Sequence, residues 1–95
     1  MKTELKRQVN IPIELGGVLI KTWRADWVYY DHQLKSEVVE DFKGWIDADF
    51  KFKLKMFWAV YPDRLVCLSF RNQKNWYLKS YKELLHRLKV HKSGD

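Results

Sequence analysis

Apolar and polar residues alternate over "VNIPIEL", where Val9, Ile11 and Ile13 share one side, the period-two mark of a half-buried strand. Pro12 inside that run predicts an edge strand, because proline cannot donate to a neighbouring ladder. Gly16-Gly17 follows, a pair that tolerates the positive φ of a tight two-residue hairpin turn. "VLIKTWRADWVYY" at 18–30 predicts the second strand, 31–36 a turn, and "EVVEDFK" at 37–43 the third strand. Ahead of them "MKTELKRQ" is polar and predicts no more than a turn or two of helix.

The second half reads differently. In "DADFKFKLKMFWAVYP", Phe50, Phe52, Leu54 and Met56 alternate with lysines as a strand would. Phe50, Leu54, Phe57, Trp58 and Tyr61 also form a helical stripe, which covers the longer span and stops at Pro62. The segment therefore predicts a helix over 47–61. "RLVCLSF" is a short apolar run, predicting a buried strand, and "NWYLKSYKELLHRLKV" predicts a terminal helix with Tyr77, Tyr81, Leu84, Leu85 and Leu88 on one stripe. The tail "HKSGD" is expected to fray. The order β-β-β-α-β-α implies an α/β sandwich around a small mixed sheet, one domain over residues 1–95.

Composition narrows the function classes. No apolar run approaches the ~20 residues that span a bilayer, so no membrane role is expected, and a lone cysteine fits a reducing, cytoplasmic setting. The single Cys67 excludes an internal disulfide and a cysteine-rich zinc ribbon. A net charge of +6, a pI near 9.5, and five each of Trp, Tyr and Phe favour an anionic partner, nucleic acid before membrane. Basicity that serves solubility alone is the plainer alternative.

Charge changes the picture most in the third strand. Strand interiors are poor in acids and lysine, yet Glu40, Asp41 and Lys43 fall within one. An acid, any residue, then lysine also occurs at Glu4–Lys6 and Asp49–Lys51, so the tripeptide alone carries little; only the 41–43 copy sits in a β-branched run. An even-numbered turn centred on Gln33 and Leu34 sets Asp26 opposite Asp41, Cβ atoms roughly 4.5–5.5 Å apart, and Arg24 opposite Lys43. Opposed carboxylates repel, and a divalent cation between them would relieve the cost. Mg²⁺ or Mn²⁺ is expected there, held by Asp26 and Asp41 with the Phe42 carbonyl as a third ligand. Such an ion polarises a phosphate and acidifies a bound water. Lys43, on the same side as Asp41, would orient that water or stabilise developing charge. The implied reaction is phosphodiester hydrolysis; a simple Lys43–carboxylate salt bridge is the structural alternative.

"RQVNIPIELGGVLIKTWRADWVYYD", then "VVEDFKG" and a Phe/Lys-rich helix, resembles a group of phage-encoded proteins of the PD-(D/E)XK nuclease superfamily. The resemblance runs from about Leu5 to Tyr61 and implies a restriction-endonuclease-like core. It matches Asp26 to the first aspartate of the superfamily motif, here preceded by Ala25, and Asp41 and Lys43 to the (D/E)XK pair. Glu40 matches an adjacent acid and Gln8 a glutamine ahead of the first strand. The superfamily core usually opens with a helix bearing another acid. Here a first strand beginning near residue 8 leaves no room for it, and Glu4 is the only acid available.

Lys51, Lys53 and Lys55 could line a phosphate groove or simply form a solvated helix face. Trp45 could stack on a base for ~1–3 kcal/mol. Trp23, Trp27, Trp58, Trp76 and Cys67 are expected in the core, with one of Tyr29 and Tyr30, while His86 should face solvent. The expected function is a divalent-metal-dependent endonuclease acting on DNA, branched or structured DNA included. The alternative is a non-catalytic nucleic-acid-binding or host-protein-binding phage protein on the same scaffold. An incomplete site on a small core also raises a homodimer as an expectation.

Overall fold

A computed structural model describes the backbone of residues 2–93 and the side chains of residues 5–90. β1 (Lys2–Leu15) and β2 (Val18–Asp31) form a long antiparallel hairpin, closed by Gly16 and Gly17 at φ 58° and 78°. β3 (Ser36–Phe42) pairs antiparallel with β2, and an Asx turn closes that connection: the Asp31 carboxylate accepts the Gln33 and Leu34 amides at 2.9 and 3.1 Å. α1 (Ala48–Val60) crosses over to β4 (Leu65–Ser69), which lies parallel to β3. β5 (Trp76–Leu78) then pairs antiparallel with β4, and α2 (Tyr81–Ser93) ends the described chain. The result is a small α+β fold, a mixed sheet in the order β1-β2-β3-β4-β5 with two helices.

Both helices pack on one sheet face. Phe50, Leu54, Phe57 and Trp58 of α1 and Leu84 of α2 bury against Ile13, Trp23, Ala25, Val39, Val66, Leu68 and Leu78. Trp23 meets Phe50 and Phe57 edge-on, with centroids 5.9 and 5.1 Å apart. A smaller cluster of Tyr29, Val38, Leu65 and Cys67, flanked by Trp27, fills the other face; no helix contributes to it among the described residues. Beyond Ile13 and Lys21 the hairpin leaves the core, and Leu15, Val18, Leu19 and Ile20 are all exposed.

The edge position of Pro12, the glycine turn and the helix over 47–61 match expectation. Asp47 caps that helix by accepting the Phe50 amide at 2.8 Å. Trp23, Trp58, Trp76, Cys67 and Tyr29 are buried and Tyr30 and His86 are exposed, again as expected, whereas Trp27, expected in the core, is half-buried beside the cluster on the face without helices. Three expectations fail. Residues 2–8 extend β1 rather than coil as a helical turn, because β2 is long enough to pair with them as far as Lys2↔Asp31. "NWYLKS" opens as β5, where Trp76 and Leu78 both point into the core at strand spacing, so the order is β-β-β-α-β-β-α. α2 begins only at Tyr81, where Ser80 accepts the Glu83 amide and Glu83 accepts the Lys79 amide, a reciprocal cap. It runs on through Ser93, and residues 94–95 of the expected tail lie outside the described residues.

Leu54 is fully buried between sheet and helix. Leu54→Ala should lower the free energy of unfolding by about 2–5 kcal/mol, read from urea denaturation.

Candidate active site

The β2–β3 ladder runs through Asp31↔Ser36 to Trp27↔Glu40, so the next pair is Asp26 and Asp41, the register expected from the even turn. The ladder stops there. In place of a strand carbonyl, the Asp26 side chain takes the next amide: Phe42 N–H donates to Asp26 Oδ2 at 2.8 Å. β3 carries on against β4 alone, through Asp41↔Leu68 and Phe42↔Ser69, and Lys43 N–H donates to the Ser69 carbonyl at 2.9 Å.

β2 turns over at the same point. Trp23 and Ala25 belong to the helix-covered core, whereas Trp27 and Tyr29 belong to the opposite face and Val28 to the helix side. Opposite this turnover, Gln8 of β1 adopts φ 50°, a left-handed backbone that costs a non-glycine residue of order 1 kcal/mol. Its Oε1 accepts Arg24 Nη2 at 2.7 Å. Arg24, next to Trp23 in β2, therefore points to the side away from the core. The expected Arg24–Lys43 pairing fails because β2 turns over between Arg24 and Trp27.

Asp41 is the buried member of the acid pair, 5% exposed. The Trp23 indole N–H donates to its Oδ2 at 3.2 Å, and Lys43 Nζ lies 3.3 Å from the same oxygen. Lys43 Nζ also sits 4.1 Å from the centre of the Phe50 ring, a cation–π contact. Burial, then a hydrogen bond shared with Asp26, pushes the Asp41 carboxyl up, and these outweigh the lowering influence of Lys43 and Trp23. For Asp26 burial also acts upward, but the Phe42 amide, the bond to Asp41 and the Lys43 charge together hold it below the ordinary range. Burial and the neighbouring acid thus favour the protonated form at Asp41 rather than at Asp26, with Lys43 as counter-charge. The salt bridge weighed as the structural alternative is present, and it is part of the same cluster.

Donor chemistry fits a hard divalent ion in part. The Trp23, Lys43 and Phe42 contacts all fall on Oδ2 atoms, and Mg²⁺ is commonly held by only one or two carboxylates with waters completing its shell. Among the described residues, no three acidic, His or Cys side chains gather in one place. Phe42 meets Asp26 through its amide; its exposed ring and that of Trp45, 76% exposed, flank the end of β3. Glu40 faces the opposite side from Asp41, where it accepts the Tyr29 hydroxyl at 2.6 Å. Burial and this carboxylate push the Tyr29 phenol far up. The side chain of Glu4 lies outside the described residues.

Lys51, Lys53 and Lys55 do not form one row. Lys55 Nζ lies 5.7 Å from the Tyr81 ring and Lys51 borders Leu85 and Leu88, so both face α2. Lys53 instead comes near Lys21, Lys43, Asp41 and Asp47. Lys21 was not singled out in the sequence; its signal was its place two residues before Trp23, on the alternation of β2. A surface depression of about 520 Å³, lined by Tyr77, Glu83 and His86 among others, holds none of these residues.

No protein-family model and no curated protein matches the chain. One solved structure, described as the crystal structure of SSO0001, is similar at 12% identity and a TM-score of 0.42. The alignment covers 96% of this chain and 51% of that one, so the chain spans about half of its length.

Linkage follows from the two shifts. Asp41 titrates higher folded than its ordinary 3.8, so its contribution is complete below that value and is lost as pH rises through the raised one. Asp26 does the reverse: its contribution is present above 3.8 and is lost as pH falls through the lowered value. Without divalent metal, Asp41→Asn should be more stable than the native protein at neutral pH, the gap closing as pH falls towards ~4. Asparagine keeps an oxygen for Trp23 but carries no charge to desolvate. Urea denaturation across that pH range checks it.

Proposed function

We propose that this protein is a divalent-metal-dependent nuclease that hydrolyses DNA phosphodiester bonds on a restriction-endonuclease-like scaffold. The observation that carries the reading is the convergence of Asp26, Asp41 and Lys43 at the point where β2 and β3 part. The sequence resemblance and the net charge of +6 support it. Mg²⁺ or Mn²⁺ held by Asp26 and Asp41 would supply charge to polarise a phosphate and acidify water.

The chain's own residues do the rest. Asp41 must release the proton that its burial favours before it can serve as a ligand, so metal affinity should rise from acidic towards neutral pH. Lys43, held between the Asp41 carboxylate and the Phe50 ring, is placed to orient a nucleophilic water or to meet charge developing on the phosphate. Trp23 orients Asp41 from within the core. Trp45, two residues after Lys43, offers an exposed ring on which an unpaired base of branched or structured DNA would stack, whereas the exposed Phe42 ring stands on the Glu40 face of β3.

A second reading, a DNA-binding module without catalysis, is favoured by one observation: only two carboxylates meet here among the described residues, and Lys43 already neutralises one.

Incubation with plasmid and junction DNA in Mg²⁺ or Mn²⁺ separates the readings. Cleavage is expected for the native protein, loss of it in Asp26→Asn and Asp41→Asn, and a fall of about 10²–10³ in Lys43→Ala. Equal, negligible cleavage by the native protein and Asp41→Ala sinks the enzyme reading. Salt-sensitive binding in EDTA without cleavage would establish the module.

A further inference from the structure

Lys21 is paired across the hairpin with Ile13, a fully buried residue, and so points to the helix-covered face. It is also the next residue on that side of β2 after Trp23, whose ring packs against both Phe50 and Phe57 of α1. Lys53 follows Phe50 by three residues and precedes Phe57 by four, so it projects from the same side of the helix. Helix and hairpin are fixed to each other further along, where the Tyr61 hydroxyl donates to the Pro12 carbonyl at 2.7 Å. Lys21 and Lys53 therefore face one another across the seam between β2 and α1. Lys43, over the Phe50 ring, stands at the end of that seam nearest the acids.

Three ammonium groups on one seam repel one another. Burial, then Lys21 and Lys43, holds the Lys53 amine below the usual lysine range, and Asp41 and Asp47 only partly offset this. Lys21 and Lys53 remain half-buried, so solvent, and with it an anion, reaches both. A polyanion suits such a seam better than a single ion does, because Lys21 stands on β2, Lys53 on α1 and Lys43 just past the end of β3.

We propose that Lys21 and Lys53 form a backbone-phosphate site that continues from Lys43 along the β2–α1 seam and carries the DNA strand away from Asp26 and Asp41 towards the hairpin tip. The site rests on the nuclease reading and deepens it by assigning the direction in which the strand runs. Lys51 and Lys55, on the α2 side of α1, take no part.

Binding of a short fluorescein-labelled DNA duplex, followed by anisotropy in EDTA over a salt series, tests this. Relative to the native protein, Lys21→Gln with Lys53→Gln should lower the slope of log affinity against log salt by about 2, near 0.9 for each lost phosphate contact. Lys51→Gln with Lys55→Gln should leave the slope unchanged, and Lys21→Arg with Lys53→Arg should retain it. An unchanged slope in the first pair, or an equal loss in the arginine pair, overturns the seam site while the nuclease reading stands. No salt-dependent binding by the native protein removes both.

Discussion

The β2–β3 ladder ends because a side chain takes the place of a carbonyl. Asp26 Oδ2 accepts the Phe42 amide that continued pairing would have given to a strand oxygen, and the two strands separate from that bond onward. Without a partner for that amide the separation would cost an unsatisfied donor, about 1–3 kcal/mol if buried. With it, β3 is free to follow β4 while β2 turns over beneath the hairpin. Asp41 is left on the core side of the gap, beside an acid that cannot move away because its oxygen is engaged. The electrostatic cost at this spot is therefore built into the strand geometry, and it is the kind of retained cost that concentrates at functional positions.

Core packing then decides where the carboxylates sit. Trp23 has two tasks: its ring packs between Phe50 and Phe57, and its indole N–H satisfies Asp41. Phe50 is likewise a core residue on one side and a platform for Lys43 on the other. A site supported by rings already locked in a core is held more tightly than one resting on loops. α1 bears on the position of the acid pair for the same reason, although no side chain of α1 touches the carboxylates in a direct hydrogen bond or ion pair among the described contacts.

Much of this was legible in the sequence, because the relevant signals are local. The even turn after Asp31 set the register that brings Asp26 to Asp41, and Pro12 marked the edge. The stripe from Phe50 to Tyr61 outweighed its competing alternation because Asp47 and Pro62 bound it at helical ends. What was not legible depended on partners. Residues 2–8 carry no strand pattern of their own and are extended by pairing with β2. Tyr77 continues a helical stripe in the sequence, yet Trp76 and Leu78 are the residues that meet the core; the Ser80-x-x-Glu83 cap was the signal that the helix starts later. Lysines at every second position look like a row in a strand, but at 3.6 residues per turn Lys53 lies on the other side of α1 from Lys51 and Lys55.

Glu40 and Asp41 show why charge pattern alone could not define the site. They are adjacent acids in one strand, and the pleat sends them to opposite faces. Glu40 arrives on the face without helices, where the Tyr29 hydroxyl is its neighbour. Asp41 arrives under α1, where a second carboxylate, an ammonium and an indole converge. The turnover of β2 matters equally: the register alone brings Asp26 to Asp41, and the turnover sets Trp23 and Ala25 on their side, where the indole reaches Asp41. The acid pair is therefore made by the register of two strands, and the turnover of one of them brings a core tryptophan to it.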